Sequence, residues 1–493
     1  MKKALMMLAM VATTSLWAYD FQVGDLYYDI VDENEFTVQV VRVSNFWGST
    51  YEDLYNVNIP DTINMFGATY TVVGIEGGAF RNCRNLKSIT LPNTIQYIGQ
   101  NAFIYSGVYE NNQYWTNGVM YLNKVLVAVK PFVAGNLVVK NGTTAIADGA
   151  FEGCSKLTSI TIPGSVTSIR DKAFWLCSSL TSVTIGNGVT SIGEMAFLGC
   201  SGLTSVTIPN SVTSIGFGAF VDCSSLTSVT IGNGVTGIEE RTFKGCSSLT
   251  SATISNGVTS IEERTFSGCL SLTSIVIPES VTSIGVRAFE GCSSLTSVII
   301  SNGVTSIKDR SFKGCSSLTS IVIPNSVTKI RTEAFMNCSS LTSITIPESV
   351  TSIGYQAFDG CTSLMSVTVN TNIDRFASIF GTQVTEYILG NDVTNIGYEA
   401  FKGCSALTSI SIPNSVTSIG RWAFEGCSSL TSITIPESVT SLEYQAFDGC
   451  SSLETINYTG TKKQWENITK NIDWKVGCSI KTIVCSDKKV KVK

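Results

Sequence analysis

The sequence contains no histidine. This absence removes the commonest general base, the serine–histidine and cysteine–histidine nucleophile pairs, and every histidine metal site. Carboxylate pairs such as Glu239–Glu240 and Glu262–Glu263 are present, but they recur as a column of a repeat and do not converge on a cleft. We therefore predict that the protein is not an enzyme and has no catalytic residues, no cofactor and no metal site.

Charge is also scarce, and its balance is slightly acidic. Charged residues make up 14% of the chain, and the formal net charge is -5. A nucleic-acid-binding surface needs an excess of lysine and arginine, so nucleic acid is not expected as a partner. No stretch after the N-terminus approaches the roughly 18 apolar residues that span a bilayer. We expect no transmembrane segment in the mature chain.

The N-terminus carries a targeting pattern. Lys2 and Lys3 precede an apolar run from Ala4 to Val11, and small residues follow as far as Ala18. This order is typical of a bacterial-type signal peptide. We predict that the protein is exported and is secreted or held at the cell surface.

An internal repeat dominates the rest of the chain. Cysteines recur at a constant 23-residue step from Cys154 to Cys361, and Cys404, Cys427 and Cys450 resume that step. The apolar pattern L-x-x-L/V/I-x-I recurs with it, in a unit length that is typical of leucine-rich repeats. A period this regular indicates a solenoid, in which each coil packs on its neighbours.

One unit shows how a coil is built. Leu203, Val206 and Ile208 alternate along a strand and face inward, whereas Ser205 and Thr207 face outward. A second apolar pair and an Ala-Phe pair complete the unit. The fold class that we predict is a leucine-rich repeat solenoid, built from right-handed, parallel, 23-residue β coils with short helical or irregular returns and a cap at each end.

The repeat also sets the predicted domain organisation. Its period is broken by a hairpin-like insertion at about 104–136 and by a shortened coil at about 370–400, in which Gly381 takes the cysteine position. The predicted segments are a signal peptide at 1–18, an N-terminal cap at 19–58, the solenoid at 59–456 and a C-terminal cap at 457–493.

The sixteen cysteines would ordinarily suggest a disulfide framework in an exported protein. A column with one cysteine per coil, however, sets the Cβ vectors side by side and not toward each other, so we predict buried free thiols. The spacing of a zinc site is absent. Cys478 and Cys485 lie outside the column, and for them two alternatives stay open, a disulfide that staples the cap or two free thiols.

Three sets of side chains are candidate binding residues. The outward strand positions form rows of serine and threonine hydroxyls that are interrupted by an aliphatic stretch. This pattern indicates either residues chosen for β-propensity or an apolar surface that docks a partner. A column of arginines indicates either an ion-pair ladder or a groove for sulfated glycans or acidic peptides. An aromatic set suits either edge packing or stacking on sugars and peptides. The candidates are Val276, Ile299 and Val322; Arg241, Arg264, Arg287 and Arg310; and Tyr355, Tyr398, Trp422 and Tyr444.

The repeated motif Cys-Ser-Ser-Leu-Thr-Ser-Ile-Thr-Ile-Pro-x-Ser-Val-Thr-Ser-Ile-Gly-x-x-Ala-Phe, which spans residues 59–458, closely resembles the BspA-like leucine-rich repeat family. The resemblance implies a surface or secreted protein, because members of the family are typically such proteins. Some members are adhesins for extracellular-matrix proteins or other cells. The family has no fixed catalytic or binding residues to transfer, and the chain has no obvious cell-wall sorting motif.

These observations together predict a non-enzymatic binding protein. The first hypothesis is an adhesin that contacts host matrix proteins or other cell surfaces. The alternatives are a glycan-binding module and a structural surface component that associates with its own copies. The expected partners are therefore extracellular proteins or surface glycans, with self-association as a further possibility.

Overall fold

The computed structural model describes residues 19–42, 44–45, 48–49, 51–65, 67–373 and 375–492. The predicted signal peptide lies outside these residues. The chain divides into two compact units, one that ends at Leu226 and one that begins at Thr227.

Both units are built from the same coil, and this confirms the predicted solenoid of about 23 residues per turn. A regular coil has a first strand after the buried leucine and a two-residue second strand after the next turn, except that in the coil of Leu318 the first segment forms no strand. In the first strand Ser205–Ile208, exposed and buried side chains alternate, as the sequence predicts. Neighbouring coils pair in parallel with a shift of one repeat, for example Ile160 with Val183.

In the first unit, the first strands are Asn56–Asn58, Ser88–Thr90, Gly135–Val138, Leu157–Ile162, Ser182–Ile185 and Ser205–Ile208. The second strands are Tyr97–Ile98, Val125–Val129, Ala145–Ile146, Ser168–Ile169, Ser191–Ile192 and Ser214–Ile215.

In the second unit, the first strands are Ser228–Ile231, Ser251–Thr253, Ser274–Ile277, Ser297–Ile300, Ser343–Ile346, Ser366–Val369, Glu386–Leu389, Ser409–Ser411, Ser432–Ile435, Thr455–Tyr458 and Thr482–Val484. The second strands are Gly237–Ile238, Ser260–Ile261, Ser283–Ile284, Ser306–Ile307, Lys329–Ile330, Ser352–Ile353, Ser418–Ile419, Ser441–Leu442 and Thr469–Lys470.

The core of each coil contains a stacked phenylalanine. In the second unit, the rings of Phe266 and Phe289 lie 5.4 Å apart with an interplanar angle of 4°, and Phe312 continues the stack at 5.3 Å. All three side chains are fully buried. Because one apolar ring recurs at the same place in every regular coil, burial of this ladder is a principal source of stability.

Each coil also contains a left-handed turn that the sequence pattern does not reveal. The residue three positions after the second-strand isoleucine has a positive φ, for example Met195 at 52° and Gln356 at 53°. Non-glycine residues rarely adopt this conformation. Here the turn places the backbone amide toward the next coil, and Met195 N donates to Phe217 O at 2.9 Å.

The first irregularity in the repeat is the interrupted coil, residues 104–136. A short helix, Gly107–Glu110, and a 3-10 turn, Asn112–Tyr114, follow Phe103. Antiparallel strands come next, and the last of them joins the column of second strands by pairing in parallel with Ala145–Ile146. The two antiparallel strands are Trp115–Thr116 and Val119–Leu122, and the joining strand is Val125–Val129.

The second irregularity is the shortened coil, residues 370–400. Ser366 pairs with Glu386, which lies closer along the chain than one full repeat, so the first strands remain paired. The helix Phe376–Phe380 supplies two rings, with Phe380 5.1 Å from Phe358 and Phe376 4.4 Å from Phe401. The ring ladder is therefore maintained although the coil is shorter than the repeat.

The described ends of the chain cover the ring ladder. Near the N-terminus, antiparallel and parallel strands form one sheet, and the buried ring of Tyr51 stacks on Phe80 at 5.1 Å. Near the C-terminus, the helix Lys462–Asn467 precedes Trp474, whose ring meets Phe447 at 6.1 Å. These end strands are Phe21–Val23, Leu26–Asp32, Thr37–Val40, Ser44–Asn45, Gly48–Ser49, Thr62–Met65, Ala68–Ile75 and Lys489–Lys491. The domain boundaries given above remain a prediction.

Candidate functional site

The aliphatic row, Val276, Ile299 and Val322, occupies one repeat position in three consecutive coils of the second unit. Val276 and Ile299 lie on the outward face of first strands, whereas Val322 lies in a segment that forms no strand. The three side chains are 55%, 57% and 79% exposed. Val276 and Ile299 are direct partners in paired parallel strands, so their side chains lie side by side. Three aliphatic side chains at one position in consecutive coils form a flat apolar strip, and such a strip is unusual on a surface that is otherwise rich in serine and threonine.

The arginine column, Arg241, Arg264, Arg287 and Arg310, lies at the left-handed turn. All four residues have φ between 55° and 58°. The amide of Arg264 donates to Val286 O at 2.9 Å, and that of Arg287 donates to Asp309 O at 3.0 Å. The backbone of the column thus serves coil stacking, and the guanidinium groups project from a fixed turn.

The guanidinium groups have carboxylate neighbours. Arg264 lies 3.3 Å from Glu263, and Arg287 lies 3.7 Å from Glu290. The carboxylate of Asp309 accepts a hydrogen bond from the Thr332 amide at 3.1 Å.

Glu333 is the strongest of these partners. Its carboxylate accepts from Arg310 Nε at 3.1 Å and Nη2 at 2.9 Å, and from Lys313 Nζ at 2.6 Å. The hydrogen bonds from Arg310 and Lys313 lower the pKa of Glu333 to about 2. Sequence reasoning missed this residue. Extending the arginine column by one coil would have found it, because Glu333 lies at the same turn position as the four arginines.

The aromatic set is divided. Trp422 contacts Tyr398 at 5.5 Å and Tyr444 at 6.4 Å between ring centroids. Tyr355 is 71% exposed, and among the described residues no ring contact joins it to the other three. The structure therefore brings together three of the four predicted aromatic residues.

Cations already lie over these rings. Arg421 is 3.9 Å from the Trp422 ring centroid and 5.0 Å from that of Tyr444, and Lys402 is 4.9 Å from Trp422. The indole N–H of Trp422 donates to Gln445 Oε1 at 2.8 Å. Cation–π contacts of this kind stabilise the cluster internally, and they leave less ring surface for an incoming ligand.

The cysteine column contains free thiols. Cys292 Sγ donates to Phe266 O at 3.2 Å, and Cys315 Sγ repeats this bond with Phe289 O at 3.3 Å. Burial raises the pKa of Cys292 to about 12. A neutral, hydrogen-bonded thiol with such a pKa is a poor nucleophile and acts as a small apolar core residue.

The two C-terminal cysteines correct the sequence interpretation. Cys478 and Cys485 are both free, so the disulfide alternative for the C-terminal cap is wrong. Cys478 is also not outside the column, because its thiol donates to Phe447 O at 2.6 Å, the same kind of bond that Cys450 makes to Phe424 O at 3.0 Å. The longer spacing before Cys478 concealed this position in the sequence.

The described residues contain neither a metal-binding cluster nor a membrane-spanning helix. No three acidic, cysteine or histidine side chains in these ranges form a group that could hold a metal ion. None of the helices within them is long and apolar enough to cross a lipid bilayer.

The stacked coils, their buried leucines and the 23-residue register define the class of the protein as a leucine-rich repeat solenoid. More specifically, the chain belongs to the family with the BspA type leucine-rich repeat region, whose model matches residues 51–113, 135–250, 215–341, 259–380 and 377–492. Proteins of this family are typically found at the cell surface, the repeat suggests a protein-binding role, and the fold is typically non-catalytic.

Solved structures of bacterial leucine-rich repeat proteins are similar to this chain. A leucine-rich repeat protein from Bacteroides ovatus is 24% identical, with 95% of this chain and 100% of that chain covered and a TM-score of 0.39. A leucine-rich cell surface protein from Faecalibacterium prausnitzii is 28% identical, with 93% and 98% covered and a TM-score of 0.34. No curated protein matches the chain significantly.

Proposed function

We propose that the protein is a non-enzymatic adhesin, secreted or held at the cell surface, that binds extracellular matrix proteins or proteins of other cell surfaces. The observation that carries this proposal is the exposure of the aliphatic row, with 55%, 57% and 79% of its three side chains open to solvent. Aliphatic side chains on a rigid strand face lose little conformational entropy on binding, and burying them against a partner removes apolar surface from water.

The family supports the same proposal, because its repeat suggests protein binding at the cell surface. The partner surface should be flat and apolar at its centre, since the row is a strip without a pocket. The serine and threonine hydroxyls beside the row, for example Ser274 and Ser297, then supply the polar rim that a protein interface usually has.

The test is binding of the purified protein to a panel of matrix proteins at low and high salt. We expect binding that persists at high salt and that falls about tenfold or more in Val276→Asp and Ile299→Asp, because a buried charge in an apolar contact is costly. Thr434→Asp is the matched control, since Thr434 holds the equivalent exposed position in another coil. Equal losses in all three variants would argue against the aliphatic row.

A glycan-binding module remains the alternative, with the arginine column as its site. Arg264, Arg287 and Arg310 each lie within 4 Å of a carboxylate, so an anionic glycan would have to compete with these ion pairs. Binding through the column should fall steeply with salt and disappear when the four arginines are replaced by serine. A concentration-dependent increase in mass without any partner would instead support a self-associating surface component.

A further inference from the structure

The interrupted coil opens a gap among the first strands of the first unit. In regular coils the amide after the buried leucine donates to the coil before, as Thr181 N does to Thr158 O at 2.8 Å. In the interrupted coil the equivalent amide, Glu110 N, bonds to Ser106 O at 3.0 Å within its own short helix. Among the described residues, the strand Ser88–Thr90 therefore pairs with Asn56–Asn58 alone, in a two-stranded sheet.

A cavity of about 570 Å³ lies at this gap. Arg84 and Lys87 line one side, just before the strand Ser88–Thr90, and the segment from Tyr105 to Asn111 lines the other. Gly107 permits this close approach, because a Cβ at this position would lie 2.5 Å from Leu86 O and 2.6 Å from Arg84 O. The volume is within the usual range for sites that hold small molecules.

The lining combines three kinds of group. Arg84 and Lys87 are exposed, and neither forms an ion pair with a carboxylate within the described part of the chain. Tyr105 is 52% exposed and presents an aromatic ring. Glu110 and Asn111 add hydrogen-bond acceptors. The lining therefore carries one net positive charge. It also offers the flat apolar face of the Tyr105 ring and polar groups that can accept hydrogen bonds from hydroxyls.

We infer that this cavity binds an acidic saccharide unit, a sugar that carries a carboxylate or a sulfate ester. Arg84 and Lys87 bind the anionic group, because an arginine fork and a lysine ammonium match its oxygens. Glu110 and Asn111 accept hydrogen bonds from sugar hydroxyls, and the ring of Tyr105 packs against the apolar face of the sugar. The site is in the first unit and uses none of the aliphatic row, so its failure leaves the proposed protein contact untouched.

The test uses the full chain and three small probes in calorimetric titration, namely sialyllactose, 6-sulfo-galactose and neutral lactose. We expect one or both acidic probes to bind and lactose to bind at least about tenfold more weakly, since one charge-assisted contact is worth about that factor. The two acidic probes distinguish a carboxylate ligand from a sulfate ligand.

Variants locate the site. Arg84→Ala and Lys87→Ala should each weaken binding of the acidic probe about tenfold without changing the melting temperature. Lys156→Ala is the matched control, an exposed lysine in a neighbouring regular coil, and it should leave binding unchanged. The inference is overturned if neither acidic probe binds, if lactose binds equally well, if the Lys156 variant loses as much affinity, or if a tri-glutamate peptide competes as well as the saccharide.

Discussion

The regular coils and the interrupted coil use the same repeat position in different ways. In a regular coil this position is a cysteine, and the thiol of Cys292 donates to the preceding coil at Phe266 O. In the interrupted coil it is Ser106, which is also fully buried, and its hydroxyl accepts from Tyr109 N at 3.1 Å and caps a short helix. The hydrogen bond that links two coils is thus replaced by one inside a single coil, and a continuous strand face gives way to a cavity.

Removing one ring from the phenylalanine ladder of the regular coils should cause the largest loss of stability. Phe289→Ala removes a fully buried ring that stacks on both Phe266 and Phe312. We expect a loss of about 3–5 kcal/mol in the free energy of local unfolding, from lost burial and the cavity left behind. Hydrogen exchange of the amides in these coils measures it. Phe132→Ala, which removes a ring that is 66% exposed in the interrupted coil, should change little; equal losses would mean that stacking is not the source of stability.

In the interrupted coil, substitution of Gly107 should cause the largest loss of stability. A methyl group in Gly107→Ala would meet the carbonyl oxygens of Leu86 and Arg84, so the short helix has to move. We expect a loss of about 1–3 kcal/mol from this overpacking, together with weaker binding of the acidic probe. Ser178→Ala, at the equivalent and exposed position of a regular coil, should have almost no effect on the melting temperature. A stable Gly107→Ala variant with an unchanged cavity would contradict the close approach.

Alkaline pH should destabilise the regular coils more than the interrupted coil, because the regular coils contain buried thiols. Burial raises the pKa of Cys292 to about 12 from an ordinary value of 9.0. Above pH 9 the unfolded chain loses the thiol proton while the folded chain keeps it, so stability falls as pH rises from about 9 to 12. At pH 10 the loss is about 1 kcal/mol for Cys292. Regular coils should therefore open before the interrupted coil, which contains no cysteine. Limited proteolysis as a function of pH, with the cleavage sites identified, measures the opening of both regions; cleavage of the interrupted coil first would contradict the prediction.

The smallest loss of stability is expected when an ion pair on the surface of the regular coils is removed. Glu333→Gln removes the carboxylate that binds Arg310 and Lys313, and we expect a loss below about 1 kcal/mol because solvent screens the pair. Since the pKa of Glu333 is lowered to about 2, the stabilisation is present above about pH 4.5 and is lost as pH falls toward 2. Arg84→Ala, which breaks no ion pair among the described residues, should show no such acid dependence; a similar dependence in both variants would contradict the contrast.

The sequence alone determined the structure of one coil and the stacking of the coils. A 23-residue period, alternating apolar positions and a constant spacing of Phe and Cys within each unit can be satisfied only by stacking, because a single coil cannot bury its own leucines. The same pattern identified the outward positions Val276 and Ile299, since strand residues alternate between two faces. Those predictions needed no tertiary information.

Only the tertiary structure decided the contacts between coils and the backbone geometry where the period is broken. Glu333 pairs with Arg310 one full repeat away, and Cys478 joins the thiol column after a spacing longer than the repeat; a local pattern cannot show such long-range neighbours. The left-handed turns and the cavity beside Arg84 are likewise invisible in the sequence. Both depend on where one coil places its backbone against the next, and this is set by packing and hydrogen bonds between segments that are distant in the chain.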